Sequence, residues 1–197
     1  MKRFLKCIGF ILLFLVILFC INFIRNYMII SKMINLANEN FVGLDNYHLL
    51  CCINSNDNDF KSMYSNYYYK DGILKVETDW TFDKYSTSWY NTNTNEIIDI
   101  DINGNRTERK EDVIISDIGI ERYLLEIDAK SKYVLENMFR IIDENEYTYT
   151  FKRNEIYYFV NKETGLIDKA IDEDARGADY VFTLEIGNVT DDDISRP

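Results

Sequence analysis

The sequence predicts an α+β protein in which an apolar N-terminal helix precedes an antiparallel sheet with helices on one face. Three observations predict it. Residues 7–24 form a nearly unbroken apolar run behind a basic flank. From about residue 46 the pattern shortens to the two-residue alternation of strands, punctuated by Gly, Asn and Asp clusters. Helical spacing returns between residues 116 and 139, after which strand signals resume. Runs of strands with helices inserted between them indicate α+β.

The apolar run reads CIGFILLFLVILFCINFI and is interrupted only by Asn22. At about 1.5 Å per residue its 18 positions span about 27 Å, close to a hydrocarbon core of about 30 Å. Tyr27 and residues 28–30 extend it to the interface. Lys2, Arg3 and Lys6 precede it, which by the positive-inside rule places the N-terminus in the cytoplasm. The expected organisation is a cytoplasmic n-region over 1–6, a transmembrane signal anchor over 7–30, a juxtamembrane helix over 31–45 and an extracytoplasmic, strand-rich domain over 46–197. The run is longer than the apolar region of a cleaved signal, and no small-x-small site follows it. Cys20 is preceded by Ile17, Leu18 and Phe19, and an aromatic stands where lipid processing requires a small residue. An uncleaved, single-pass anchor in the cell membrane is expected.

Charge divides along the same line. The first 26 residues carry Lys2, Arg3, Lys6 and Arg25 and no acid, so the −11 of the whole chain leaves −15 on the remainder. Such a surface repels phosphate backbones and argues against a nucleic-acid partner. Pro occurs once and Gly eight times, which argues against a disordered chain. Aromatic residues make up 15% of the chain, with 15 Tyr and 12 Phe, and suit a pleated surface.

Along the domain, Met33, Ile34 and Ala37 share a helical stripe with Ile30 and Phe41 as neighbours. That helix either continues from the membrane or follows a short break. Strands are then expected at 46–54, 63–69, 73–78, 81–90, 96–102 and 106–110. Asp71-Gly72 and Asn103-Gly104 supply the residues that tight hairpin turns demand. Asp117 is placed to cap a helix over 118–127, and Val134, Leu135 and Met138 fall together on a second helical stretch over 131–139. Further strands are expected at 140–152, 156–161, 166–171 and 180–189. No 20–50-residue period recurs, which excludes a solenoid or propeller.

Candidate chemistry is sparse. Asp99-Ile100-Asp101-Ile102-Asn103-Gly104-Asn105 copies the first half of a calcium-binding EF loop, yet position twelve is Lys110 instead of Glu, and strand-like sequence flanks it on both sides. A hairpin accounts for the same residues. Asp191, Asp192 and Asp193, with Asp172, Glu173 and Asp174, read as solvated turns. His48 is the one histidine and lies in a strand. No Gly-rich phosphate loop, G-x-S-x-G or HExxH is present. Cys7 and Cys20 sit in the apolar run. Cys51 and Cys52 are adjacent in a strand and point to opposite faces, as two ordinary thiols. A non-enzymatic domain is expected, without cofactor, metal or catalytic residues, and with its ligand-binding residues unassigned.

Three segments carry a resemblance. Tyr157-Tyr158-Phe159-Val160-Asn161-Lys162-Glu163-Thr164-Gly165-Leu166 resembles a strand ending in D/N-K-E-T-G-L-P, with Ile167 in place of the last Pro. The final FTLEIGNVTDDDISRP resembles a last strand and its V-T-D-E-D-I-x-x-P tail. The opening helix followed by Asn46-Tyr47-His48-Leu49 is similar to the entry into a first strand. All three resemble the LolA/LppX-like lipoprotein-carrier superfamily, in particular its membrane-anchored members in low-GC Gram-positive bacteria. The resemblance implies a half-barrel: a curved antiparallel sheet whose concave face, covered by helices, holds an apolar ligand or peptide.

The expected function is that of a membrane-tethered, non-catalytic binding protein that holds an acyl chain, lipid or apolar peptide at the outer membrane face. Its rival is a sensory or regulatory module that binds another envelope protein with no lipid.

Overall fold

The computed structural model describes residues 2–41, 43–54, 63–80, 84–112, 114, 130–153, 155–172 and 178–197. The expected helix over 118–127, with Asp117, lies outside them, as do Glu173 and Asp174.

The chain opens with one helix of 40 residues, α1 (Lys2–Phe41). No break separates the apolar run from the stripe over Met33, Ile34 and Ala37, so the anchor segment and the juxtamembrane segment are a single helix. Its window from Cys7 is long and apolar enough to cross a membrane, and none of that window is buried by the rest of the protein. The C-terminal turns behave differently. Ile30, Met33, Ile34, Ala37 and Phe41 are buried in the main core. Ile30, which composition alone assigns to the lipid interface, therefore faces protein.

Among the described residues eleven antiparallel strands follow, as two meanders. The first contains β1 (Asn46–Asn54), β2 (Met63–Lys70), β3 (Ile73–Trp80), β4 (Lys84–Asn91), β5 (Glu96–Ile100) and β6 (Arg106–Lys110). A short helix, α2 (Lys130–Glu136), precedes the second: β7 (Asp143–Glu144), β8 (Thr148–Arg153), β9 (Ile156–Asn161), β10 (Ile167–Asp172) and β11 (Ala178–Ile186). The first strand pairs with the last, with Tyr47 opposite Ile186 and Cys51 opposite Phe182. The order across the sheet is β6-β5-β4-β3-β2-β1-β11-β10-β9-β8-β7, and the sheet does not close on itself.

Local turn chemistry sets the hairpins. Asp71 and Gly72 both adopt positive φ, +49° and +82°, as a two-residue turn between β2 and β3 requires. The single strand expected over 140–152 is instead split into β7 and β8. The Asn145 side chain accepts from the amides of Tyr147 (2.8 Å) and Thr148 (2.7 Å), and this local bonding outcompetes a continuous ladder.

Register separates the two faces. Tyr47, Leu49 and Cys51 point to the same side as Phe182, Ala170, Val160 and Phe151, and with α1 and with Tyr133 and Val134 of α2 they form the core. His48 and Trp89 lie on the opposite side. There the C-terminal residues 187–197 cross the first meander: the Trp89 indole donates to the Ile194 carbonyl at 2.8 Å, and Asn46 bonds both backbone groups of Val189 at 3.0 Å. The helices thus cover the second meander on one face while the C-terminal tail covers the first meander on the other.

The turn between β9 and β10 locks α1 in place. Asn161 accepts from the amides of Glu163 and Thr164, Asn40 of α1 donates to the Thr164 carbonyl at 3.1 Å, and Gly165 passes against the α1 backbone. Asn161 also donates to the half-buried Asp168 carboxylate at 3.1 Å. Burial raises the Asp168 pKa above the ordinary Asp range, and the Asn161 bond opposes that rise only in part. The folded state therefore holds this proton more tightly than the unfolded chain does, and carrying the charge at neutral pH weakens the fold. Asp168→Asn is expected to raise the thermal midpoint at pH 7, with the gain vanishing as the pH falls to about 4, where the unfolded Asp also protonates. Thermal unfolding of both proteins across that range checks it.

Candidate functional site

The site that emerges lies where α1 leaves the membrane-length segment and meets the edge of the second meander. Ile21, Ile24, Arg25, Met28 and Ile29 recur at helical spacing along one stripe of α1, and with Glu144 of β7 and Tyr149 of β8 they line an open groove of about 500 Å³. That volume falls within the range of about 300–1,000 Å³ typical of small-ligand sites. The lining is mainly aliphatic, with its charge confined to Arg25 and Glu144. The Arg25 guanidinium approaches Glu144 at 3.4 Å, and Lys162 approaches the same carboxylate at 3.3 Å. Lys162 also sits over the Tyr149 ring, 4.6 Å from its centre. Two cations therefore share one carboxylate. The Nη1 atom of Arg25 is buried without a hydrogen-bond partner.

The same region of α1 is fastened to the domain by two asparagines one turn apart. Asn22 donates to the carbonyls of Met138 (3.2 Å) and Arg140 (2.8 Å). Asn26, fully buried, donates to Asn137 (2.8 Å) and Arg140 (2.9 Å). Asn137 in turn is buried and caps α2, bonding the Tyr133 carbonyl at 2.8 Å and both backbone groups of Lys152. These bonds hold the loop after α2 against the helix. The expected helix over 131–139 accordingly stops at Glu136, because Asn137 turns its side chain back to the Tyr133 carbonyl and across to β8.

The groups singled out in the sequence for chemistry are engaged elsewhere. Asp99 accepts from Ser88 at 2.7 Å and pairs with Arg109. Asp101 accepts from the Asn105 side chain (2.8 Å) and from the amides of Asn105 (2.9 Å) and Asn103 (2.8 Å), and these bonds hold its pKa below the usual carboxylate range. The segment is a hairpin turn between β5 and β6, with Gly104 at φ +79°. Asp191 pairs with Lys70 at 2.6 Å, and Asp193 accepts from Thr190. His48 stacks on Tyr68 with ring centres 4.6 Å apart, and its Nε2 meets Asn66 at 3.0 Å. Among the described residues no three His, Cys, Asp or Glu side chains converge as metal ligands do. Cys51 and Cys52 are not joined in a disulfide.

No protein-family model matches the chain, and no curated protein is similar to it in sequence.

Sequence reasoning assigned no ligand residue, and the groove shows why. Arg25 reads as the end of an apolar run, Asn22 as a blemish within it, and Glu144 as one acid among many. The signal that was present is the spacing of Asn22 and Asn26 on one face of a lipid-length helix, where an amide needs a partner.

Proposed function

We propose that this is a membrane-tethered, non-catalytic binding protein that holds a lipid or other acyl-chain ligand at the outer face of the membrane. The groove beside α1 is its site. The observation that carries the reading is the aliphatic stripe of Ile21, Ile24, Met28 and Ile29, with the Arg25–Glu144–Lys162 charge cluster beside its middle. An amphiphile fits this arrangement, with its chain along Ile21 and Ile24 and an anionic or acceptor-rich head at Arg25 and Lys162. In this reading the domain stands outside the cell, the N-terminus is cytoplasmic, and the sheet is the curved half-barrel of the LolA-like carriers with α1 and α2 on its concave face. The open antiparallel sheet supports that arrangement. The uninterrupted α1 makes the protein a fixed holder and not a diffusing shuttle.

The test uses the full chain purified in mild detergent and read by native mass spectrometry. One acyl-chain ligand per chain is expected. Met28→Trp, which fills the groove, and Arg25→Gln, which removes the head contact, are each expected to lower its occupancy at least tenfold. Phe14→Trp, elsewhere on the exposed apolar helix, is expected to leave it unchanged. Equal lipid retention by all three variants, or no retained lipid in the parent, sinks the proposal.

A second reading, binding of another envelope protein, draws on the free edge of the sheet at β6, whose five residues are all exposed. Arg106, Glu108 and Lys110 alternate along that edge, and such charges discourage strand addition. A stoichiometric protein crosslink in cells, without lipid, favours this reading over the first.

A further inference from the structure

We infer that the loop after α2 is itself a membrane-inserting element, which dips into the outer leaflet beside the anchor and fixes how the domain sits on the bilayer. The inference rests on reading α1 as a membrane span and is independent of whether the groove holds a ligand.

Phe139 and Ile141 are large apolar side chains left 81% and 73% exposed, and Arg140 between them is exposed as well. A soluble loop has little reason to present such residues to water. Their position along α1 gives one. The Phe139 ring lies 5.3 Å from that of Phe19, inside the apolar run and six residues before Arg25, the first charge after it. At about 1.5 Å per residue, Phe139 stands about 9 Å deeper along the helix than Arg25. Elements that lie in the membrane interface bury their apolar faces by about 5–10 Å. If Arg25 marks the headgroup level, Phe139 is within hydrocarbon.

A second observation points the same way. Non-helical backbone is tolerated at membrane depth only where its polar groups are satisfied by protein. In this loop the carbonyls of Asn137, Met138 and Arg140 accept from the Asn22 and Asn26 side chains. The Arg140 amide donates to Asn137 at 3.1 Å, and that of Met138 donates to Leu135 at 3.3 Å. The two asparagines that interrupt an otherwise lipid-compatible stretch are spent on the backbone that would otherwise meet lipid unpaired. The Arg140 side chain has the length to reach back to phosphate groups while its neighbours stay buried. The occupant of this patch is therefore the bilayer, continuous with the surface that the exposed helix already offers.

The experiment places the full chain in phosphatidylcholine–phosphatidylglycerol vesicles and compares Phe139→Trp with Ile102→Trp. Ile102 lies in the β5–β6 turn, at the opposite edge of the sheet from β7. Circular dichroism confirms that both variants fold. The emission added by Trp at 139 is expected to be blue-shifted and to fall by at least half when the lipids carry bromine on their acyl chains. That added at 102 is expected to stay red-shifted and unquenched. An unquenched Trp at 139 in a chain that resists alkaline extraction overturns the inference and leaves the anchor standing. A blue shift without bromine quenching overturns it in favour of a second copy or another protein on this patch. Release of the chain by alkaline extraction overturns the anchor, and the inference with it.

Discussion

A chain beginning after α1, at residue 42, is expected to lose cooperative folding altogether. Ile30, Met33, Ile34 and Phe41 contribute four large side chains to the core, each no more than 3% exposed, and Ala37 is fully covered beside them. Burying each large side chain stabilises by about 1.5–3 kcal/mol, so the four together contribute on the order of 6–12 kcal/mol. The whole stability of a domain is about 5–15 kcal/mol. Removing the helix also uncovers Tyr47, Leu49, Phe151 and Val160, which pack in the same cluster. Starting the chain at residue 31 removes Ile30 and the Asn26 clamp, and is expected to give a folded but weakened protein in which the loop at 137–141 is loose. Starting at residue 19 keeps both and is expected to preserve the native transition in mild detergent. Near-ultraviolet circular dichroism and limited proteolysis of the three chains check the series. A sharp thermal transition in the chain from residue 42 would show that α1 is only a tether.

That series also marks the limit of what the sequence discloses. The long apolar helix was legible because a lipid-length apolar run is a property of composition, and the hairpins were legible because Asp71-Gly72 and Asn103-Gly104 carry their turn chemistry within two residues. The antiparallel character of the sheet followed from those turns. The pairing of β1 with β11 did not, since nothing local to Tyr47 or Cys51 indicates that Ile186 or Phe182 will lie opposite. Nor did the double role of α1. Ile30 and Ile24 are identical in chemistry, and only the path of the chain decides that one meets protein and the other the groove. The candidate site was illegible for the same reason: Arg25 and Glu144 are 119 positions apart and acquire meaning only when β7 is laid beside the helix.

The second large effect is expected from Gly165→Ala, which should lower the thermal midpoint by about 5–15 °C. Two costs add. Gly165 has φ +78°, in the left-handed region, where a β-carbon costs about 1–2 kcal/mol. A β-carbon there would also stand 2.6 Å from the Ala37 amide nitrogen and 2.7 Å from the Met33 carbonyl oxygen of α1. Both are backbone atoms, so no side-chain rotation relieves the contact and the helix itself must move from the β9–β10 turn. Displacing well-packed elements in this way costs about 1–3 kcal/mol. For a chain of this size each kcal/mol shifts the midpoint by about 2–4 °C. Gly187→Ala is the matched control, because Gly187 has nearly the same φ, +77°, with nothing within 4 Å of the added carbon. It should show the backbone cost alone, a loss of about 2–8 °C. Equal losses at the two positions would mean that the approach of the turn to α1 is slack. A clearly larger loss at 165, with the Asn40 bond to Thr164 broken, would place the seam between helix and sheet at this turn, where residues carried on α1 and residues of the sheet close on one another.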